Sequence, residues 1–123
     1  MTTPVHWLTV TTAPATVGMD GRACRTRAAF FAEAARALGV PVPAGPGWDV
    51  LADAVRGLGA VDVVVAHAEE LLADEPPAQF AVLLDIAAAA APEGLTLTLN
   101  TGQDHETALR HRIANALVLL PGV

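Results

Sequence analysis

The sequence predicts an α/β domain in which a small three-stranded parallel sheet is layered with helices and followed by an extra C-terminal helix. Residues 61–66 (VDVVVA) form a β-branched apolar run of strand length, as buried parallel strands do. Residues 95–100 (LTLTLN) alternate leucine with polar residues, which predicts a strand with one face less buried. Segments with helical spacing lie between these strands, and this alternation is typical of a parallel sheet.

The first half of the chain carries clear helix and turn signals. Residues 15–19 are predicted to form a strand that ends at Asp20-Gly21, and residues 6–11 could add a further strand. Thr26 is a suitable N-cap for a helix that runs to Leu38 and stops at Gly39. Three prolines and two glycines then make residues 40–47 an ordered loop.

A second helix is predicted from Trp48 to Arg56, ending at Gly57. Its apolar residues recur at the spacing of one buried stripe, and they are Trp48, Leu51, Ala52 and Val55. A neighbouring stripe carries Asp49, Asp53 and Arg56. In the second half, residues 68–74 are predicted to form a short helix, 77–91 a longer one opened by Pro76-Pro77, and 104–120 the final helix.

Length and composition predict a single domain, 1–123, that stays in the cytoplasm. The chain is 53% hydrophobic, which suits a folded core that needs neither disulfides nor metals. The lone Cys24 cannot form an internal disulfide and fits a reducing compartment; a reactive thiol beside Arg22 and Arg25 is the alternative interpretation. The N-terminus lacks the pattern of a signal peptide, and no apolar run is long enough for a membrane helix.

The acidic residues are strongly segregated along the chain. Residues 45–106 carry eleven acidic residues against the single Arg56, a net charge of −10 within a chain whose total is −6. This segregation favours a partner with a positively charged surface and argues against nucleic acid. No membrane partner is predicted, because no apolar run is long enough to span one. The alternative is an acidic face that only keeps the protein soluble.

The residues that are missing argue against an enzyme. The chain contains no serine, lysine or tyrosine, which excludes a Ser-based triad, a Schiff-base lysine and a Walker lysine. The histidines show no zinc spacing, so no metal or other cofactor is predicted.

Asp49 and Asp53 are the candidate functional pair. They lie four residues apart, hence about 40° apart around one helix. Asp49 is in the first turn, where the helix dipole favours a negative charge, whereas Asp53 lies mid-helix and gains little from it. Mid-helix placement favours presentation to a cationic partner. The alternatives are a solvated helix face, a magnesium site that would need further ligands, and paired acid–base catalysis, which would need opposing carboxylates.

The stretch 19–55 (MDGRACRTRAAFFAEAARALGVPVPAGPGWDVLADAV) resembles the barstar family of ribonuclease inhibitors. Its segment WDVLAD (48–53) is similar to the family's W/L-D-A-L-x-D core, with both aspartates in place. The resemblance covers about residues 15–100, so that 101–123 form an additional C-terminal segment of one barstar-like domain.

The resemblance implies an immunity or antitoxin-type inhibitor that plugs the active site of a basic secreted ribonuclease or toxin domain. Asp53 would take the place of the substrate phosphate, with Asp49 as the second acid. The other residues assigned to the partner-binding surface are Pro43, Gly45, Gly47, Ala52 and Arg56.

The chain departs from the family pattern in its predicted contact residues. It has Pro43 and Ala44 where loop aromatic residues are common, and Gly47 where asparagine is common. Ala52 stands where family members can have tryptophan. Ala89 stands at or near the position where family members have a further acid, late in the next long helix. These changes remove contact area and one charge. The alternative function is therefore a non-catalytic interaction module on the same fold with a different basic partner.

Overall fold

The fold was analysed in a computed structural model that describes residues 6–13, 18–39 and 48–118. Its strands are β1 (Leu8–Thr11), β2 (Met19–Asp20), β3 (Val61–Ala66) and β4 (Leu95–Asn100). Its helices are α1 (Arg27–Leu38), α2 (Trp48–Arg56), α3 (Pro77–Ala90) and α4 (Gln103–Val118). Short 3-10 turns span Gly21–Ala23, Ala68–Glu70 and Ala91–Glu93.

The sheet is parallel and has four strands in the order β1-β4-β3-β2, one more than the predicted three, and β1 lies within residues 6–11, where the sequence could add a further strand. The additional strand, β1, pairs with β4 from Leu8 opposite Leu97 to Thr11 opposite Asn100. β4 is a central strand whose backbone groups need partners on both sides, and the backbone N–H of Leu97 donates to the carbonyl of Trp7 at 2.7 Å. The α/β class is confirmed.

The described helices cover one face of the sheet. Side chains of β3 and β4 enclose a small cavity of about 40 Å³ together with residues from α1, α2 and α3. Leu8 and Val10 of β1 contact α4, and their register beside Leu97 and Leu99 places them on the same face. On the opposite face, the Asp62 carboxylate accepts hydrogen bonds from the hydroxyls of Thr96 (2.9 Å) and Thr98 (3.0 Å). Among the described residues, helices and sheet thus form two layers, and the other face of the sheet carries mostly polar side chains, with Val64 and Ala66 of β3 as apolar members.

α1 has the bounds that its capping residues predict. The Thr26 hydroxyl accepts the backbone N–H of Ala29 at 3.1 Å, which satisfies a donor of the first turn. Gly39 closes the helix with φ +69°, a left-handed conformation that glycine adopts without strain. The following residues, 40–47, lie outside the described part of the chain.

The Asp20-Gly21 signal marks the end of β2, and only the last part of the predicted strand 15–19 lies within the described residues. β2 comprises Met19–Asp20, and residues 14–17 lie outside the described ranges. Gly21 begins the 3-10 turn at a point of close approach, because a Cβ atom there would lie 2.1 Å from the carbonyl oxygen of His67. Only glycine fits against that backbone.

Residues 68–74 do not form the predicted short helix. A 3-10 turn spans Ala68–Glu70, and turns follow because the backbone bonds to another segment. The N–H of Leu72, at φ +53°, donates to the carbonyl of Cys24 at 2.6 Å, and the N–H of Asp74 donates to that of Arg25 at 2.9 Å. These long-range bonds replace the intrahelical ones. The other predicted elements are confirmed to within a few residues, and residues 119–123 lie outside the described ranges.

A buried carboxylate, Glu33, joins α1 to β2. It is 9% exposed and accepts the backbone N–H of Asp20 at 2.9 Å. The Arg36 guanidinium donates to both of its oxygens at 2.7 Å. These hydrogen bonds from Arg36 hold the pKa of Glu33 below its ordinary value of 4.5. The charged form of Glu33 therefore stabilises the folded state.

We expect Glu33→Gln to lower the free energy of unfolding by about 1–2 kcal/mol at neutral pH, because a buried carboxylate loses its charge-assisted hydrogen bonds from Arg36, whose side chain is 63% exposed and partly screened by solvent. Since the folded pKa lies below the ordinary value of 4.5, this contribution is fully present above pH 4.5. It is lost as the pH falls through the folded pKa. Urea unfolding between pH 3 and pH 7 should show the two proteins converging in acid. Glu106→Gln removes an exposed pair with Arg110 and should cost less than about 0.5 kcal/mol; an equal loss in both variants would contradict the assignment.

Candidate partner-binding surface

α2 is held in place by a buried face that the sequence predicted. Leu51 is 2% exposed and Val55 is 7% exposed, and both line the small cavity between the sheet and the helices. Ala52 and Trp48 are half-buried and pack against the same core. The opposite face of α2 therefore points away from the core.

Trp48 fixes the start of α2 to two other helices. Its ring lies edge-on to Phe31 of α1, with centroids 5.0 Å apart and planes at 77°, and it also contacts Phe30 at 5.8 Å. Its indole Nε1–H donates to the Oε1 of Gln79 on α3 at 2.8 Å. Because an aromatic cluster and a directed hydrogen bond both act on one side chain, the orientation of the first turn of α2 is well defined.

The two candidate carboxylates lie on the solvent side of α2. Asp49 and Asp53 are both exposed, as is Arg56. Within residues 6–13, 18–39 and 48–118, no side chain or backbone N–H bonds to either carboxylate. Arg56 follows Asp53 by three residues, yet the two do not form an ion pair. The described contacts thus leave both negative charges open to a partner.

Val50 is an apolar member of the same exposed face that the sequence analysis did not identify. Its side chain is 48% exposed, and it precedes Asp53 by three residues, which places the two about 60° apart around the helix. The sequence carries a signal for this exposed position, because Val50 stands between two aspartates on an amphipathic helix. We call Asp49, Val50, Asp53 and Arg56 together the α2 surface.

The remaining predicted site residues have varied positions. Pro43, Gly45 and Gly47 lie outside the described residues. Ala52 is half-buried at the margin of the α2 surface. Ala89, where the sequence lacks an acid, is exposed on α3. The assignments of Pro43, Gly45, Gly47 and Ala52 to the partner-binding surface stay predictions.

Two alternatives from the sequence gain no support. Cys24 is fully buried, and burial raises the pKa of its thiol to about 12, so it is protonated and shielded at neutral pH. In the part of the chain that is described, no three His, Cys, Asp or Glu side chains gather in a way that could hold a metal ion. Nor is any described helix long and apolar enough to cross a membrane.

Comparison with known proteins identifies a family. The family model for Barstar (barnase inhibitor) matches residues 15–114, a range that contains α2 and continues past residue 100 into α4. Searches of curated proteins and of solved structures gave no match. The matched range covers most of the chain, and it confirms the resemblance seen in the segment around Trp48, Asp49 and Asp53. By this match the chain belongs to the barstar family, whose members are inhibitors of barnase-type ribonucleases.

Proposed function

We propose that this protein binds a basic ribonuclease or related toxin domain and blocks its cationic active site with Asp53 and Asp49. In this proposal it serves as an immunity or antitoxin-type protein. The observation that supports it most directly is the geometry of α2: two exposed carboxylates on one face of a helix whose other face is anchored by Trp48, Leu51 and Val55.

A carboxylate is a plausible substitute for a phosphate in such an active site. A ribonuclease cleft must hold a phosphodiester with cationic groups, and those groups donate charge-assisted hydrogen bonds equally well to a carboxylate. Opposite charges also accelerate encounter, which suits an acidic inhibitor and a basic enzyme. Because α2 is already ordered by its contacts with α1 and α3, little conformational entropy would be lost on binding.

Two further parts of the proposal concern chemistry and location. The family is one of inhibitors, and this chain lacks serine, lysine and tyrosine, so we propose that it acts without catalysis. We also propose that it resides in the cytoplasm, where its lone, buried Cys24 would stay reduced.

A second candidate is an interaction module that uses the α2 surface on a different basic partner. The exposed, uncharged Ala89 on α3 and the small Ala52 favour it, since both reduce the charge and contact area available to the usual enzyme. The two candidates share the same residues and differ in the identity of the partner.

Titration of the purified protein into a basic secreted ribonuclease of barnase type from the same cell tests the first candidate. We expect activity on a fluorogenic RNA to fall linearly to zero at a one-to-one ratio, and inhibition to weaken as salt screens the charges. A ribonuclease of unrelated fold serves as the control and should stay active. Full activity of the barnase-type enzyme at excess inhibitor would contradict the proposal. Recovery of a basic non-nuclease protein through the α2 surface would instead support the second candidate.

A further inference from the structure

A second potential binding site lies between α4 and the start of α3, away from the α2 surface. It is a groove of about 480 Å³ bounded by the turn before α3 and one side of α4. Its polar side chains are Glu75, His111, Arg112 and Asn115, and Phe80 forms part of its wall. The proposed inhibitor function uses none of these residues.

Arg112 is the distinctive group in this groove. Its guanidinium carbon lies 4.2 Å from the ring centroid of Phe80, a residue that is only 1% exposed. Its Nη1 is buried and has no hydrogen-bond partner among the described residues. Arg110 lies two residues earlier, on nearly the opposite side of α4, and donates instead to Glu106 at 3.0 Å. A buried, charged donor left without an acceptor is costly, whereas the remainder of the Arg112 side chain is only partly buried and stays accessible to a ligand.

The surroundings of Arg112 restrict the chemistry of a matching ligand. Nη1 is covered by protein atoms, so the accessible edge of the planar guanidinium is the part that can hold a planar carboxylate through two parallel hydrogen bonds. Phe80 covers one face of the guanidinium, which leaves its edge for hydrogen bonding. His111 and Asn115 can add donors. Glu75, whose Oε2 accepts the backbone N–H of Arg27 at 2.8 Å, contributes a negative charge that disfavours ligands with more than one charge.

The pKa of Arg112 is lowered, as expected for a partly buried guanidinium that has no acidic partner among the described residues. Burial lowers the pKa of its guanidinium, and no acid pairs with it in the described part of the chain. A bound anion would restore the stability of the charged form. The N-terminus of α3, which has no side-chain cap, adds its positive dipole end at the same groove.

We propose that this groove binds a small ligand through a single carboxylate held by Arg112, with Phe80 as a platform and Glu75 selecting against multiply charged anions. The carboxylate can belong to a free acid or to the end of a short peptide. The site is independent of the α2 surface, so its ligand and a ribonuclease would bind to separate parts of the molecule.

Titration of ¹⁵N-labelled protein followed by NMR tests this site, with acetate, N-acetyl-Ala-Ala and inorganic phosphate as probes at constant ionic strength. We expect saturable shifts in the amide signals of Glu75 and residues 78–80 and 111–116 with the two carboxylates, and weaker binding of phosphate. Amidated N-acetyl-Ala-Ala should give no saturable shift. Preference for acetate over the peptide identifies a free acid as the ligand, and the reverse identifies a peptide end.

Matched variants separate the site from a general charge effect. Arg112→Met keeps an apolar chain over Phe80 and should reduce carboxylate affinity at least tenfold, whereas Arg110→Met should leave it unchanged. Glu75→Gln should bring phosphate affinity closer to that of acetate. Arg112→Lys keeps the charge and guards against loss of folding in Arg112→Met; it too should bind less tightly. The absence of saturable shifts, equal shifts in Arg112→Met, or tighter binding of phosphate to the unaltered protein would overturn the proposal.

Discussion

Replacing Asp53 with alanine should weaken binding to the ribonuclease by about 100-fold or more and leave the thermal unfolding temperature nearly unchanged. Breaking a buried charge pair from one side costs about 3 kcal/mol or more, and each 1.4 kcal/mol corresponds to a factor of ten in Kd. In the proposed complex, the cost arises because the enzyme's cations stay buried without their counter-charge. Folding stability should be insensitive, since the Asp53 side chain is exposed and no described residue bonds to it.

The measurement is the dissociation constant from inhibition assays, together with the unfolding temperature of the free variant. Asp53→Asn keeps the shape of the side chain and isolates the contribution of charge, so it should also bind weakly. Asp85→Ala is the matched control, because Asp85 is an exposed aspartate within α3 and outside the α2 surface. If Asp53→Ala inhibits as well as the unaltered protein, or if it unfolds, the carboxylate does not have the proposed role.

Elements with local signals could be predicted from the sequence alone. α1 was bounded correctly because Thr26 and Gly39 satisfy its end groups through their own conformations. α2 followed from a single apolar stripe, and β3 and β4 from their β-branched or alternating patterns. In each case the interactions that determine the secondary structure lie within the segment itself or with the apolar core, and they require no particular distant residue.

Elements that depend on distant partners could not be predicted in the same way. β1, which the sequence offers only as an optional strand within residues 6–11, forms because β4 provides a free edge, and that edge exists only once the sheet has formed. Residues 71–74 turn instead of continuing as a helix because the carbonyls of Cys24 and Arg25 accept their N–H groups. No pattern within 68–74 contains that information.

The candidate site likewise has features that local sequence patterns predict and features that depend on the packing of distant segments. The spacing of Asp49 and Asp53 and the apolar stripe beside them were sufficient to place both carboxylates on an outer face of α2. The hydrogen bond from Trp48 to Gln79, by contrast, depends on how α1 and α3 pack around α2. The buried, unpartnered Nη1 of Arg112 likewise depends on the position of Phe80, which lies in another helix.

The contacts of Trp48 predict the second large effect, on stability and inhibition together. We expect Trp48→Ala to lower the free energy of unfolding by about 3 kcal/mol, toward the lower end for large aromatic residues because Trp48 is only half-buried. The variant loses the contacts with Phe30 and Phe31 and leaves the Gln79 amide without its partner. Urea unfolding measures this loss. Inhibition should weaken as well, since α2 would no longer hold its carboxylates in one orientation.

Trp48→Phe separates packing from hydrogen bonding. It keeps an aromatic ring beside Phe31 but cannot donate to Gln79, so we expect a loss of about 1 kcal/mol. Combined with Gln79→Ala, it should show a coupling energy of about 0.5–1.5 kcal/mol, as contacting residues do. Val50→Ala is the stability control on the exposed side of α2 and should change the free energy of unfolding by less than about 0.5 kcal/mol. If Trp48→Ala were as mild as Val50→Ala, the orientation of α2 would depend on Leu51 and Val55 alone, and the aromatic anchor would have no part in presenting Asp53.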